Sequence, residues 1–191
     1  MSIIGIEGGI GTGKTLTLAY YGITDLLKGK RIFSIITFRN IGKLQQNVTY
    51  LTKDEFKNMI NLIKEKKFSM INSTVLIQEA HNYIDSRTSM FKDNRMISYW
   101  ILQSRHTGEG SCDIVYDTQE FTQVDIRLRR NTDYFLRPLI MEWDIIKGKK
   151  LPRIVLIYGQ AKLGHKQVKF NHEIDVRSIR DLYNTHEIVE F

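Results

Sequence analysis

The residues with the clearest chemical meaning form a glycine-rich loop, Gly8-Gly9-Ile10-Gly11-Thr12-Gly13-Lys14-Thr15. Their order fits the phosphate-binding pattern G-x-x-x-x-G-K-[ST] at every position. Glycines allow backbone N–H groups to turn toward a phosphate, where a side chain would clash. We expect Lys14 to reach the β- and γ-phosphates of a nucleotide and the Thr15 hydroxyl to coordinate Mg²⁺. The loop therefore predicts a site for ATP and Mg²⁺.

The sequence on either side of this loop supports the same interpretation. Residues 2–7 are mostly β-branched, as in a buried strand, and residues 14–27 lack proline and carry a broad apolar face, as in a helix. A helix that begins at the loop also directs the positive end of its dipole at a bound phosphate. Because the order is strand, loop and helix, a glycine-rich turn that binds nothing is the weaker alternative.

A second informative stretch, residues 73–81, is an apolar run that ends in Gln78-Glu79. A buried strand followed by two acids is the Walker B pattern, in which one acid holds Mg²⁺ through water and the next polarises the attacking water. Glu79 occupies the position of the catalytic base, and we expect it also to contact Mg²⁺ through water. Gln78 replaces the usual acid, so we expect it to give a weaker contact to Mg²⁺, also through water. The alternative for Glu79 is a cap on the following helix.

Composition restricts the class of protein. The chain has 191 residues, a net charge of +7 and one cysteine, Cys112. The charge favours a polyanionic partner, nucleic acid first and a membrane surface second, although an ordinary basic protein would look the same. The lone cysteine excludes an intramolecular disulfide framework and fits a reducing compartment. No apolar run has the length of a membrane span and no signal peptide is visible, so we expect a soluble, intracellular protein.

Strands and helices alternate along most of the chain, which predicts an α/β fold with a mainly parallel sheet flanked by helices. Further strands are predicted at residues 31–36, 73–79, 113–119 and 134–139, and residues 37–51 are predicted as a loop with at most a short strand near Val48. Further helices are predicted at residues 52–66, where Thr52 and Glu55 have capping-box spacing, and at residues 96–106 and 175–185. Residues 139–146 and 153–158 predict a C-terminal antiparallel hairpin at the sheet edge. We expect a single domain over residues 1–191, with its core at about 1–139.

Four features in this order resemble the FtsK–HerA superfamily of DNA-pumping P-loop ATPases: the loop at residues 8–15, the strand that ends at Gln78-Glu79, Arg105 at a helix end, and Gln119 after the next strand. Glu79-Ala80-His81 and the segment 182–187 also resemble the Zot-type branch, known from filamentous phage assembly. The small size and the lack of a membrane helix are closer to the genome-packaging NTPases of archaeal turreted icosahedral viruses.

This resemblance implies a RecA/FtsK-like fold, a homo-oligomeric ring, usually a hexamer, and ATP bound between subunits. It implies that Arg105 reaches the γ-phosphate held by a neighbouring subunit, with Arg127, Arg129 and Arg130 as alternatives. A guanidinium in that position neutralises charge on the transferring phosphoryl group. The alternative for any one of these arginines is a surface salt bridge. Gln119 would sense the γ-phosphate through a hydrogen bond.

Contacts to double-stranded DNA are expected from basic loops that face the channel of such a ring. Residues 82–95 are the first candidate, since they follow the C-terminal end of a core strand, and the turn at residues 147–150 is the second. The candidate side chains are Arg87, Lys92, Arg95, Lys147, Lys149 and Lys150. The alternative is that these charges only solvate the loops.

The function implied is an ATP-driven motor that translocates double-stranded DNA and packages a viral genome into a preformed capsid. Such a protein would contact capsid vertex or portal proteins and act in the host cytoplasm, either free or in association with the virion. A Zot-type assembly or secretion ATPase is the first alternative, disfavoured by the lack of a membrane helix after the domain. A nucleotide-dependent switch with weak hydrolysis is the second, because Gln78 is not an acid. A small-molecule kinase fits less well, since no lid or acceptor-binding segment is evident.

Overall fold

The computed structural model describes residues 1–65, 67–84, 87, 99–101, 112–164 and 166–182. The strands are β1 (Ile3–Glu7), β2 (Arg31–Ser34), β3 (Val48–Tyr50), β4 (Ser73–Ile77), β5 (Asp113–Thr118), β6 (Tyr134–Ile146), β7 (Lys149–Leu163) and β8 (Lys166–Asp175). The α-helices are α1 (Lys14–Leu27), α2 (Lys53–Lys64) and α3 (Ile126–Asn131), and 3-10 turns include Gly42–Asn47 and Ala80–Asn82.

All eight strands form one sheet in the order β3-β2-β4-β5-β1-β6-β7-β8. The strands from β3 to β6 in this order pair in parallel, and β7 and β8 continue the sheet antiparallel. The predicted α/β fold, with its mainly parallel sheet and antiparallel hairpin, is therefore confirmed. Strand β5 lies between β1 and β4, which are the strands that precede the two sequence motifs.

Each face of the sheet carries its own hydrophobic core. Alternate residues of a strand point to opposite faces. Leu76 and Val115 pack with α1 on one face, whereas Val75 and Ile114 pack with Phe56 of α2 on the other. Helix α2 begins with the predicted capping box, in which the Thr52 hydroxyl accepts the Glu55 N–H and the Glu55 side chain accepts the Thr52 N–H. Both helices thus fix the sheet that carries the site.

The C-terminal hairpin is longer than the sequence indicated. Strand β7 begins at Lys149, so the turn is Lys147-Gly148 and Pro152 lies inside the strand, opposite Trp143. Proline is tolerated there because β8 pairs with β7 only from Ile154 onward, which leaves the side of Pro152 that faces away from β6 without a ladder. The third antiparallel strand, β8, was missed.

The helix predicted at residues 175–185 is wrong for the described part. Asp175 is the last residue of β8, and residues 177–181 form turns. The Asp175 carboxylate accepts the backbone N–H and the guanidinium of Arg177, which favours a local turn over continued helix. The apolar spacing was still informative, because Val176 and Ile179 are buried against the α1 core. Of the helix predicted at residues 96–106, residues 99–101 are described and are helical.

No helix among the residues described above is both long enough and apolar enough to span a bilayer.

Candidate active site

The candidate site lies at the edge of the sheet where the parallel strands β1, β4 and β5 end. In the register of the sheet Glu7 of β1 is level with Thr118 of β5, and Ile77 of β4 is level with Tyr116. The glycine-rich loop follows β1, Gln78-Glu79 follow β4, and Gln119 follows β5. Parallel α/β sheets bind ligands outside this edge. The fold thus brings the glycine-rich loop, Glu79 and Gln119 to the same edge of the sheet.

The loop has a conformation that its glycines make possible. Gly11 and Gly13 have φ of 76° and 95°, in the left-handed region that strains other residues. The Thr12 hydroxyl and the Lys14 ammonium both donate to the Gly9 carbonyl, at 2.9 Å each. A Cβ on Gly13 would lie 3.3 Å from Cγ1 of Ile140, so the start of α1 rests against the base of the hairpin.

Helix α1 offers its N-terminus to a ligand at this loop. Gly13 is the N-cap and supplies no side-chain hydrogen bond, and the first turn contains no acidic residue. The free N–H groups and the helix dipole therefore favour an anion at this position. Lys14 and Thr15 are the first two residues of the helix, and both are partly exposed.

Glu79 is held at the end of β4 by several contacts. Its backbone is left-handed, with φ of 48°, and its N–H donates to Oδ1 of Asp117 at 2.6 Å. Its carboxylate accepts from Nδ2 of Asn82 at 3.1 Å and lies 3.9 Å from Nε2 of His81. The side chain is 43% exposed, so it can meet a ligand while its orientation is restricted. This geometry differs from the alternative of a helix cap, since Glu79 makes no side-chain capping hydrogen bond to the 3-10 turn that follows.

Asp117 is an acid in the site that sequence reasoning passed over. It lies in β5, is 1% exposed, and its Oδ2 has no hydrogen-bond partner among the described residues. Burial raises the pKa of its carboxyl to about 6, while the Glu79 N–H and the charge of Lys14 oppose that rise. The available signal was a carboxylate within the predicted strand 113–119, directly after its apolar run 114–116, where a strand core normally excludes charge.

Glu7 is a second acid at this edge, and it is already paired. Its Oε1 accepts the Phe121 N–H at 2.7 Å, and its Oε2 accepts from Arg137 Nε at 2.7 Å. The pair joins the end of β1 to β6 beside the loop. Glu7 therefore stabilises the edge on which the site is built.

The remaining candidates divide into several groups. Gln119 is exposed directly after β5, next to Thr118, whose carbonyl accepts the Gly8 N–H at 3.4 Å. Gln78 is half-buried after β4. Arg129 donates through Nε to the Val124 carbonyl, whereas Arg127 and Arg130 are exposed on α3. Arg105, Lys92 and Arg95 lie outside the described residues.

The hairpin of β6 and β7 extends beyond the same edge of the sheet. Leu136 is level with Ile6 of β1, and β6 continues to Ile146, about 30 Å further at roughly 3.4 Å per residue. Lys147, Lys149 and Lys150 are exposed at its tip, and Lys150 Nζ lies 5.0 Å from the centre of the Trp143 ring. Arg87 is exposed as well. The basic tip therefore projects on the side of the sheet that carries the loop.

The donors at the site fit Mg²⁺ bound together with a nucleotide. Mg²⁺ prefers oxygen ligands, keeps several waters, and takes the rest from one or two protein groups and the phosphates. Thr15 offers a hydroxyl, and Asp117 offers a buried oxygen that accepts no hydrogen bond from the described residues. No cluster of three His, Cys, Asp or Glu side chains suited to a metal occurs in the described ranges. The described residues therefore suit a metal ion that is held partly by the protein and partly by the phosphates of the nucleotide.

Comparison with known proteins identifies the family. Residues 2–135 match the family model described as zonular occludens toxin (Zot). The chain belongs to the Zot family. No curated protein matches the sequence significantly. The Zot match spans β1 to the start of β6 and so includes every residue of the candidate site named above except those of the hairpin.

Solved structures agree with this assignment. The N-terminal domain of zonular occludens toxin from Neisseria meningitidis is 20% identical, with 96% of this chain and 98% of that chain covered and a TM-score of 0.63. The DNA-packaging ATPase B204 from Sulfolobus turreted icosahedral virus is 16% identical, with 90% and 96% covered and a TM-score of 0.56. B204 from Sulfolobus turreted icosahedral virus 2, in complex with ATP-γ-S, is 13% identical, with 90% and 96% covered and a TM-score of 0.55. The expected resemblance to both branches is therefore confirmed, and at these identities it establishes the fold.

Proposed function

We propose that this Zot-family protein is a Mg²⁺-dependent ATPase whose hydrolysis moves double-stranded DNA. The observation that carries the proposal is the position of Glu79, whose backbone is fixed by Asp117 and whose carboxylate is oriented by Asn82 at the edge where the phosphate loop begins. An acid held in this way can orient a water and accept its proton. B204, which shares the fold, is described as a DNA-packaging ATPase and was solved with ATP-γ-S.

Each residue of the site has a distinct part in the proposed reaction. The N–H groups of residues 8–15 bind the phosphates, and Lys14 leaves the Gly9 carbonyl to neutralise their charge. Glu79 orients the attacking water, and Gln119 donates to the γ-phosphate. Mg²⁺, held near Thr15 and through water near Gln78 and Glu79, supplies charge neutralisation on the phosphate oxygens. Arg105 of a neighbouring subunit completes the site, with Arg127, Arg129 and Arg130 as alternatives.

The decisive experiment measures ATP hydrolysis by the wild type, Glu79→Ala and Arg105→Ala, with and without duplex DNA and over a range of protein concentrations. We expect both variants to be inactive and a mixture of the two to regain activity, because the intact Glu79 and the intact Arg105 then meet at one interface. Full activity of Arg105→Ala would mean that another arginine contacts the γ-phosphate of the neighbouring subunit. ATP binding by the wild type without any turnover would contradict the motor and favour the nucleotide-dependent switch.

The contact with DNA is proposed at the tip of the hairpin and at Arg87. We expect a variant with Lys147, Lys149 and Lys150 changed to Ala to bind duplex DNA more weakly. Its log Kd should also depend less on log salt, by about 0.9 for each phosphate that the variant no longer neutralises. The matched control changes three other exposed lysines, Lys28, Lys43 and Lys67, and removes the same charge. Equal loss of DNA binding in both variants would show that only net charge matters.

A second candidate function is a Zot-type assembly or secretion ATPase, favoured by the family match over residues 2–135. Displacement of a triplex-forming strand from duplex DNA distinguishes the two, because only a protein that translocates along the duplex removes the third strand. ATP-dependent displacement supports the DNA motor. Hydrolysis that duplex DNA neither stimulates nor couples to displacement supports the assembly ATPase.

A further inference from the structure

Asp117 occupies an unusual position in the sheet. It lies on β5, the strand between the one that precedes the phosphate loop and the one that precedes Gln78. Val115, two residues earlier, packs in the core on the α1 face. Because strand residues alternate, Asp117 points to that same face. The carboxylate therefore lies on the side of the sheet from which α1 and the loop approach the edge.

The two oxygens of Asp117 differ in what they contact. Oδ1 accepts the Glu79 N–H at 2.6 Å, whereas Oδ2 is buried and has no partner among the residues that the structure describes. A buried carboxylate oxygen without a hydrogen bond is costly, so such an atom in a native protein requires an explanation, and a bound cation is one that fits this position. The charge of Lys14, whose ammonium is expected at the phosphates, already acts on this group.

The neighbouring strand lacks an acid at the corresponding place. Gln78 follows β4 where the Walker B pattern has its Mg²⁺-binding carboxylate, and an amide carries no charge to offset a divalent cation. Leu76, two residues before Gln78, packs on the α1 face, to which Asp117 also points. The neutral Gln78 thus follows β4, whereas the adjacent strand β5 carries the Asp117 Oδ2, which accepts no hydrogen bond from the described residues.

We infer that Asp117, from β5, supplies to bound Mg²⁺ and its waters the negative charge that Gln78, after β4, lacks. The inference rests on the proposed function, since the metal arrives with the nucleotide. A purely structural role, in which Asp117 only anchors the Glu79 backbone, makes a different prediction. Asparagine keeps the oxygen that accepts the Glu79 N–H, but it removes the charge and replaces Oδ2 by an NH2 group that cannot bind a cation.

The test measures the affinity of a fluorescent ATP analogue in Mg²⁺ and in EDTA. The wild type is expected to bind more tightly with Mg²⁺. In Mg²⁺, Asp117→Asn is expected to bind the analogue roughly 10- to 100-fold more weakly than the wild type. In EDTA, the two proteins are expected to bind it with the same affinity. The double variant Gln78→Asp/Asp117→Asn moves the acid to the position after β4. It is expected to regain the gain in affinity for the analogue that Mg²⁺ gives the wild type. Electron paramagnetic resonance of Mn²⁺ with a non-hydrolysable nucleotide should show the same order of affinities.

Asp125→Asn is the matched control. Asp125 is also fully buried, and its Oδ2 accepts no hydrogen bond from the described residues, although Arg127 Nη1 lies 4.0 Å from it. Asp125 caps α3 beside Val124 and Leu128, which pack in the core on the opposite face. This variant is expected to lose stability and to keep the Mg²⁺ dependence. Unchanged Mg²⁺ dependence in a folded Asp117→Asn variant would overturn the inference and leave the ATPase proposal intact. A wild type that binds the analogue neither with Mg²⁺ nor in EDTA would instead overturn the proposed function.

Discussion

The backbone N–H of Glu79 donates a 2.6 Å hydrogen bond to the buried carboxylate of Asp117, which joins the ends of β4 and β5. The bond satisfies an N–H at a residue whose left-handed backbone lies outside any regular ladder. It also makes the position of the proposed base depend on a titratable group. The orientation of Glu79 and the ionisation of Asp117 are therefore properties of one unit.

Asp117 should make the free protein less stable at neutral pH than in mild acid. Its folded pKa of about 6 lies above the unfolded value near 3.9, so the folded state binds the extra proton between these values and loses that advantage as pH rises. We expect Asp117→Asn to remove this dependence, worth about 2 kcal/mol of unfolding free energy between pH 4 and pH 7. Urea unfolding of both proteins across this range measures it.

The comparison across pH cancels any constant effect of the new amide, because only the change in the difference between wild type and variant is used. Parallel stability curves for the two proteins would mean that Asp117 titrates in the folded state as it does in the unfolded chain. In that case the burial of Asp117 would not disfavour its ionised form.

Lys14→Ala should abolish nucleotide binding with little effect on folding. The ammonium donates to the exposed Gly9 carbonyl, and an exposed hydrogen bond of this kind contributes little to stability. We expect a change in unfolding free energy within about 0.5 kcal/mol and no rise in Tm on addition of MgATP, whereas the wild type should show a rise. Lys43→Ala, at an exposed lysine beside the edge strand β3, is the control and should keep the ligand-induced shift.

The pair of Glu7 and Arg137 should respond differently to removal of each partner. Glu7→Ala leaves the Phe121 N–H and the Arg137 guanidinium without their acceptor, so we expect a loss of about 2 kcal/mol. Arg137→Ala removes a largely exposed partner, and we expect about 1 kcal/mol or less. Midpoints of urea unfolding test the order. Equal losses would mean that the ion pair, and not the Phe121 hydrogen bond, carries the effect.

Gly22→Ala should destabilise the protein although alanine favours helices. A Cβ at Gly22 would lie 2.5 Å from Leu76 Cδ1 and 2.9 Å from Phe38 Cζ, both in the core between α1 and the sheet. Overpacking of about 1–3 kcal/mol should exceed the helix-propensity gain of about 1 kcal/mol. Leu76→Val creates room, so the double variant is expected to lose less stability than the sum of the two single variants. Strict additivity would argue against the close approach.

Features that depend on neighbouring residues were predictable from the sequence. The phosphate loop, the capping box at Thr52 and the basic hairpin turn each have a local chemical signature, and Glu79 follows directly from an apolar strand. Contacts between distant residues were not predictable in this way. Glu7 and Arg137 are 130 positions apart, and Asp117 meets Glu79 only because β5 inserts beside β4. The turn after Asp175 has apolar helical spacing, yet the Asp175 carboxylate favours a turn.

The central place of β1 also has a consequence for how the chain folds during synthesis. β1 leaves the ribosome before the other described strands, but its two neighbours in the sheet are β5 and β6. The ladder that supports the glycine-rich loop therefore stays incomplete until residue 136 has been made. Such non-local pairing slows folding, and an N-terminal fragment that ends before β5 would contain the whole motif yet lack both strands that hold it.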